Sequence, residues 1–130
     1  MCYNLAIKWG MQMKIKGKTN LKTSNEIVIN NKEFNGLKND NTITFYDDGI
    51  KVNITLGDEV TLKRSNDDYE IMLTFNERSS MEGKYLSKKD NLFLPLYIIT
   101  DKIIVGNNLL IINYRLNDEI YEFKLEFEVI

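Results

Sequence analysis

The stretch ITFYDDGIKVNITLGDEVTLKRSNDDYEIMLTF, residues Ile43–Phe75, decides the fold of this chain. Apolar and polar residues alternate in Ile50–Ile54, in Val60–Arg64 and in Tyr69–Phe75. A period of two residues is typical of a strand with one buried face. The stretch therefore predicts four consecutive antiparallel strands that share one apolar face.

The turns between these strands predict their register, because a slip of one residue would turn every side chain to the wrong face. Asp48-Gly49 is typical of a two-residue type I′ hairpin turn, in which both central residues need a positive φ. Leu56–Asp58 and Ser65–Asp68 are the next two predicted turns. The predicted pairs are Phe45–Val52, Ile43–Ile54, Ile54–Val60, Val52–Leu62, Leu62–Ile71, Val60–Leu73 and, on the polar face, Lys63–Glu70.

The rest of the chain continues the pattern of short strands and polar turns, and it contains no amphipathic helix of ten or more residues. Phe34–Asn41 contains Asn-Gly and Asn-Asp-Asn and predicts a loop, either irregular or with one helical turn. Eight to ten antiparallel strands with one shared inner face predict an all-β, up-and-down barrel, because closure removes exposed strand edges. The further predicted strands are Met11–Lys18, Ile27–Ile29, Met81–Tyr85, Leu92–Val105, Leu109–Leu116 and Tyr121–Val129.

Two features of the C-terminal half constrain its strands. Pro95 has no N–H to donate to a ladder, so we expect its strand to lie at an edge or to be just beginning there. Asn117-Asp118 is a second two-residue turn. It predicts the pairs Tyr114–Tyr121, Ile112–Phe123 and Leu110–Leu125.

Composition bounds the function more than it identifies it. The 130 residues are 43% hydrophobic and 28% charged, with a net charge of −2, as in one ordinary globular domain. Such a charge does not favour nucleic-acid or membrane binding. The single cysteine, Cys2, forms no intrachain disulfide, and the N-terminus lacks the apolar run of a secretory signal. We therefore expect a cytoplasmic protein, and the abundance of Asn, Ile and Lys, which A/T-rich codons encode, predicts an AT-rich bacterial genome.

The N-terminal residues fit no clear period. Lys8-Trp9-Gly10 back-translates to a purine-rich run like a ribosome-binding site, shortly before the codon of Met13. We therefore expect residues 1–12 to be an extension, with Met13 or Met11 as the functional start. Residues 13–130 are then the barrel domain.

The catalytic chemistries with well-known signatures find little support. The chain has no histidine, which excludes Ser-His-Asp and Cys-His catalysis and histidine-bearing zinc sites. Gly17-Lys18-Thr19 ends like a phosphate-binding loop but lies in an alternating strand. The pairs Asp47-Asp48 and Asp67-Asp68 flank hairpin turns, where Asp is favoured for local hydrogen bonds. We assign no catalytic residue, metal or cofactor. The lack of histidine and of a catalytic motif favours a non-enzymatic protein over an enzyme.

The order and spacing of six short segments resemble the YwiB-like family, uncharacterised proteins of low-GC bacteria. This resemblance covers about Met13–Val129 and implies a calycin-type, lipocalin-like β-barrel. It implies no activity. The matching segments are Thr44–Asp48, Val60–Arg64, Met72–Phe75, Gly83–Tyr85, Leu94–Leu96 with Thr100, and Tyr114–Leu116.

Two functional hypotheses follow from a barrel. In the first, the barrel holds a small, largely apolar or anionic ligand. The alternation aims Arg64 inward at one barrel end, where it would receive an anionic group or tie down the barrel end structurally, and the predicted register sets Tyr69 opposite it. In the second, the interior is filled and the protein is a structural or interaction module. The candidate ligand-binding residues are Arg64, Tyr69, Tyr85, Phe45, Tyr46 and Glu82, with Ile54 and Leu73 in the apolar lining.

One apolar patch is predicted on the outside. The pairing of the last strands leaves Ile104, Leu109 and Ile111 pointing away from the interior, near Ile120. Exposed apolar patches usually mark an interface. We expect a homodimer contact through these residues, or cover by the N-terminal segment.

Overall fold

Ten antiparallel strands form one closed barrel in the computed structural model, which describes residues 12–130. Each strand pairs with the next along the chain, and β1 pairs with β10. The predicted all-β, up-and-down barrel is thus confirmed. The described part of the chain contains no helix that could cross a membrane. The strands are β1 (Gln12–Thr23), β2 (Ile27–Asn39), β3 (Thr42–Asp47), β4 (Ile50–Thr55), β5 (Val60–Ser65), β6 (Tyr69–Phe75), β7 (Met81–Ser87), β8 (Leu92–Val105), β9 (Leu109–Leu116) and β10 (Glu119–Val129).

The predicted N-terminal extension, residues 1–12, lies outside the described residues except for Gln12. Gln12 is the first residue of β1 and pairs with Asn39 at the end of β2. The barrel has two ends, which we name by their turns. The upper end carries the turns at residues 24–26, 48–49, 66–68, 88–91 and 117–118, and the lower end carries those at 40–41, 56–59, 76–80 and 106–108.

The two-residue turns set the register that the sequence predicts. Phe45 pairs with Val52 across Asp48-Gly49, and Tyr114 pairs with Tyr121 across Asn117-Asp118. Asp48, Gly49, Asn117 and Asp118 all have positive φ, as a type I′ turn requires. In both hairpins, local turn chemistry alone predicts the pairing.

The two longer turns shift the register by two residues from the prediction. Ile54 pairs with Leu62 rather than Val60, and Leu62 pairs with Leu73 rather than Ile71. The cause at the second turn is Asn66, whose side-chain oxygen accepts hydrogen bonds from the N–H groups of Asp68 and Tyr69, so the turn begins one residue later. A shift of two residues keeps each side chain on its predicted face.

The predicted loop Phe34–Asn41 is wrong, because β2 continues through Asn39. Gly36, which suggested the loop, lies in β2 where a neighbouring strand approaches closely, and Gly17 of β1 lies in a similarly close contact. A Cβ on Gly36 would come within 2.9 Å of the Cβ of Phe45, and one on Gly17 within 2.8 Å of the ring of Phe34. Glycine is selected there by packing, which the local sequence cannot reveal.

The prediction for Pro95 is confirmed. Pro95 pairs with Lys84 of β7, whereas the ladder between β8 and β9 begins only at Ile98 and Leu116. The start of β8 therefore has a partner on one side alone. Further along, β8 has a bulge between Thr100 and Lys102.

Candidate functional site

The middle of the barrel is closed to solvent. Ten large apolar side chains have less than 2% of their surface accessible. A ligand-sized void along the axis would leave part of its lining accessible to water, and these side chains are almost completely inaccessible. The layer they form is therefore packed. Its members are Phe75, Ile15, Ile43, Ile54, Ile98, Leu110, Ile112, Leu125, Val52 and Val60.

Charged side chains gather at the upper end, where Arg64 points inward as the alternation predicts. Its guanidinium donates to Oδ2 of Asp47 at 3.3 Å. The ammonium of Lys32 contacts Oδ1 of the same carboxylate and donates to Oδ2 of Asp48 at 2.6 Å. The Asp47 side chain is only 12% exposed, whereas that of Asp48 is 83% exposed. Asp47 is thus a shielded carboxylate between two cations.

The two cations determine the protonation state of Asp47. Burial alone would raise the pKa of its carboxyl group, but hydrogen bonding and charge from Lys32, together with Arg64, hold that pKa below its ordinary value. The pKa of Lys32 is raised, first by its hydrogen bond with Asp47 and then by that with Asp48. Within this cluster, two positive groups, Lys32 and Arg64, face two negative groups, Asp47 and Asp48.

This balance changes the role predicted for Arg64. The sequence leaves it free to receive an anionic ligand or to be tied to the barrel end. In the structure its partner is Asp47, so an anion would have to displace a carboxylate that is already in place. The sequence does not identify Asp47 as this partner, because Asp is also favoured beside a hairpin turn for local hydrogen bonds. The signal that could have identified it is the alternation along β3. Asp47 follows Ile43 and Phe45 at every second residue and therefore lies on the inward face.

A pair of tyrosines also lies at the upper end. The rings of Tyr69 and Tyr85 stack with their centroids 5.9 Å apart. The residue directly opposite Arg64 is Ile71, not Tyr69 as the sequence predicted, because of the register shift between β5 and β6. Tyr69 and Tyr85 are half-buried and lie at the same end of the barrel as Arg64.

The other predicted site residues lie apart from this cluster. Phe45 is buried in the core, where its ring stacks on Phe34 with centroids 4.2 Å apart. Tyr46 and Glu82 are exposed, on the outward side of β3 and β7 respectively. The structure therefore groups Arg64, Tyr69 and Tyr85 at the upper end and separates Tyr46 and Glu82 from them.

Tyr114 is a deeply buried titratable side chain. Burial raises the pKa of Tyr114 well above its ordinary value, so its phenol stays protonated. Its ring packs against Phe75 and Tyr121, with centroids 4.8 and 5.3 Å away. Within residues 12–130, no group of three or more His, Cys, Asp or Glu side chains could hold a metal ion. Tyr114 has the packing of a core aromatic residue.

Concave regions occur at the wall and the ends of the barrel. One of about 110 Å³ lies where β2 and β3 separate, beside Lys32 and Asp47. One of about 500 Å³ lies over Lys16–Lys18, and one of about 870 Å³ lies at the lower end around Gly57–Thr61. The first is smaller than the roughly 300 Å³ of ordinary ligand pockets, and the other two are open to solvent and lined by a mixture of charged, polar and apolar residues.

Apolar side chains are exposed in two places on β8. Ile104 faces outward opposite Ile111, and Leu109 lies nearby, but Leu109 and Ile111 are half-buried. The start of β8 is more exposed, since Leu92, Phe93, Leu94 and Tyr97 are all large, apolar and accessible. Exposed apolar surfaces of several hundred Å² are often interaction sites.

The fold and the site define a class: a closed, ten-stranded antiparallel barrel with a packed middle and a balanced ion-pair cluster at one end. The crystal structure of ywiB protein from Bacillus subtilis is similar to this chain, with a TM-score of 0.65 over 92% of each chain and 16% sequence identity. At this identity the likeness shows the fold alone, and it supports the YwiB-like fold suggested by the sequence. No model of a known protein family matches the chain, and no curated protein matches its sequence significantly.

Proposed function

We propose that this protein is a non-catalytic interaction module that acts through its outer surface. One observation carries the proposal: the side chains in the middle of the barrel are almost completely inaccessible. Ligand-binding barrels need an interior that the side chains do not fill. Of the two hypotheses that the sequence leaves open, this observation favours the filled barrel.

The charge arrangement supports the same reading. Arg64 already has Asp47 as its partner, and Lys32 bridges the two neighbouring aspartates. An anionic ligand would have to displace Asp47 from Arg64. Breaking this partly buried ion pair would offset part of the ligand's own attraction to the guanidinium. The cluster therefore serves to hold the strand ends together.

A cavity-creating variant tests the filled interior directly. We expect xenon or benzene to leave the melting temperature of the wild-type chain unchanged, because the interior offers no space. Ile112→Ala removes a fully buried side chain and should create a dry apolar cavity, which such probes can occupy. The same probes should then raise the melting temperature of the variant. Stabilisation of the wild-type chain by either probe would overturn the proposal.

A ligand site at the upper end is the second candidate function. The stacked and half-buried pair of Tyr69 and Tyr85 beside Arg64 favours it. Arg64→Met keeps most of the side-chain volume and removes the charge. In a thermal-shift screen of small anionic and apolar compounds, a compound that stabilises the wild-type chain but not this variant would support this candidate. Loss of stability without any change in ligand response would leave Arg64 with a structural role.

The finer assignments are also proposals. A calycin-like relationship is supported by the strand order and the resemblance of the sequence segments. A cytoplasmic location is supported by the single cysteine, and a bacterial origin by the abundance of Asn, Ile and Lys, which A/T-rich codons encode. Homodimer contact through Ile104, Leu109 and Ile111 is one form of the proposed surface interaction. Leu109 and Ile111 of β9 are half-buried, so this patch is less exposed than the start of β8.

A further inference from the structure

The first residues of β8 form a strand with one free side. β7 pairs with β8 from Leu92 to Ile98, whereas β9 reaches only to Ile98, and Asn117 beyond it contacts Tyr97. Within the described part of the chain, no strand pairs with the other side of Leu92–Leu96. A free strand edge is a template for pairing with another chain unless it is covered.

The backbone groups on this free side follow from the contacts of Tyr97. The N–H of Tyr97 donates to Oδ1 of Asn117 at 3.0 Å, and its carbonyl accepts from the N–H of Asn117 at 3.1 Å. Backbone groups alternate in direction along a strand, so those of Phe93 and Pro95 point the same way, away from β7. Phe93 thus offers a donor and an acceptor, whereas Pro95 offers only an acceptor.

The side chains on both faces of this edge are exposed and apolar. Leu92 and Leu94 are 48% and 47% exposed on one face, and Phe93 and Tyr97 are 55% and 51% exposed on the other. Together with Pro95 they expose roughly 400 Å² of mostly apolar surface, because each shows about half of the area that a side chain of its size can bury. One partner in a standard interface contributes about 800 Å². The edge supplies about half of what a stable dimer needs, before any neighbouring residue is counted.

We propose that Leu92–Tyr97 is the contact through which two copies of this chain pair antiparallel, about a two-fold axis at Phe93. In this register, Phe93 and its copy exchange two N–H···O=C hydrogen bonds. Leu92 lies opposite the second copy's Leu94, so apolar residues meet on both faces. A register centred on Pro95 would lose both central bonds. The inference rests on the proposed function and names its partner, a second copy.

Disulfide trapping tests the axis. In a Cys2→Ser background, Phe93→Cys should cross-link two copies under mild oxidation, because residues opposite each other in a hydrogen-bonded pair have Cα atoms about 5.5 Å apart, within the disulfide range. Tyr97→Cys is the matched control, since it lies on the same face with similar exposure but several residues from the axis. We expect at least about tenfold more cross-linked dimer from the first variant at equal concentration. Equal cross-linking of the two variants would overturn the proposed axis.

Light scattering tests the contact in the unmodified chain. We expect the wild-type chain to be a dimer at about 100 μM and Phe93→Lys to be a monomer, with a dissociation constant raised at least a hundredfold by like charges on the axis. Ile104→Lys should remain a dimer. A monomeric wild-type chain would overturn the contact through Leu92–Tyr97. Dissociation by Ile104→Lys but not by Phe93→Lys would overturn it as well. The xenon and benzene test concerns only the barrel interior, so it tests the proposed function independently of the dimer contact.

Discussion

Replacement of Asp47 by Asn isolates the contribution of the charged cluster at the upper end. The substitution keeps the size of the side chain and removes its charge, leaving Arg64 and Lys32 without the carboxylate that they share. Hydrogen bonds to charged groups contribute about 1.5–3 kcal/mol each when they are shielded from water. Because the strand end is partly hydrated, we expect the free energy of unfolding to fall by about 2 kcal/mol for the whole substitution.

Asp48→Asn is the matched control, since Asp48 is the next residue and contacts the same lysine. Its side chain is 83% exposed, and surface ion pairs contribute little, so its loss should cost less than about 0.5 kcal/mol. Urea unfolding at pH 7 and 25 °C measures both. With an m-value of about 1.5 kcal/mol/M, the midpoint should fall by roughly 1 M for the first variant and barely move for the second.

The dependence on pH gives a second measurement of the same carboxylate. The pKa of Asp47 is lower in the folded chain than its usual value of 3.8. Its contribution is therefore fully present above that value and is lost as the pH falls through the folded-state pKa. Between pH 5 and pH 2, stability should fall less steeply in Asp47→Asn than in the wild-type chain. Equal urea midpoints for the two variants, or an unchanged pH profile, would refute the reasoning.

Three further substitutions test other parts of the fold. Gly17→Ala should lower stability by about 1–3 kcal/mol, because its Cβ would meet the backbone of β10 and the Phe34 ring, whereas Gly57→Ala, with its nearest atom 3.5 Å away, should change the melting temperature little. Leu125→Ala should cost about 2–5 kcal/mol in urea unfolding, since it leaves a cavity in the packed layer. A cost below 1 kcal/mol would mean that this layer is loose.

The sequence alone determines the strands that flank tight turns. Asp48-Gly49 and Asn117-Asp118 require particular backbone angles, so they set the register of their hairpins without help from distant residues. The alternation of apolar residues also determines which face of each strand is buried, and a register error of two residues leaves that face unchanged. The all-β barrel could therefore be predicted, as could the inward position of Arg64.

The tertiary structure alone decided the features that depend on residues far apart in the chain. Gly36 belongs to a strand because Phe45 packs against it, and Asp47 is a structural carboxylate because β2 and β5 bring Lys32 and Arg64 to it. Whether the barrel is packed depends on the summed volume of side chains from all ten strands. The free side of β8 arises because β9 ends lower on the barrel. Local sequence contains none of these distances, since they are set only when the barrel closes.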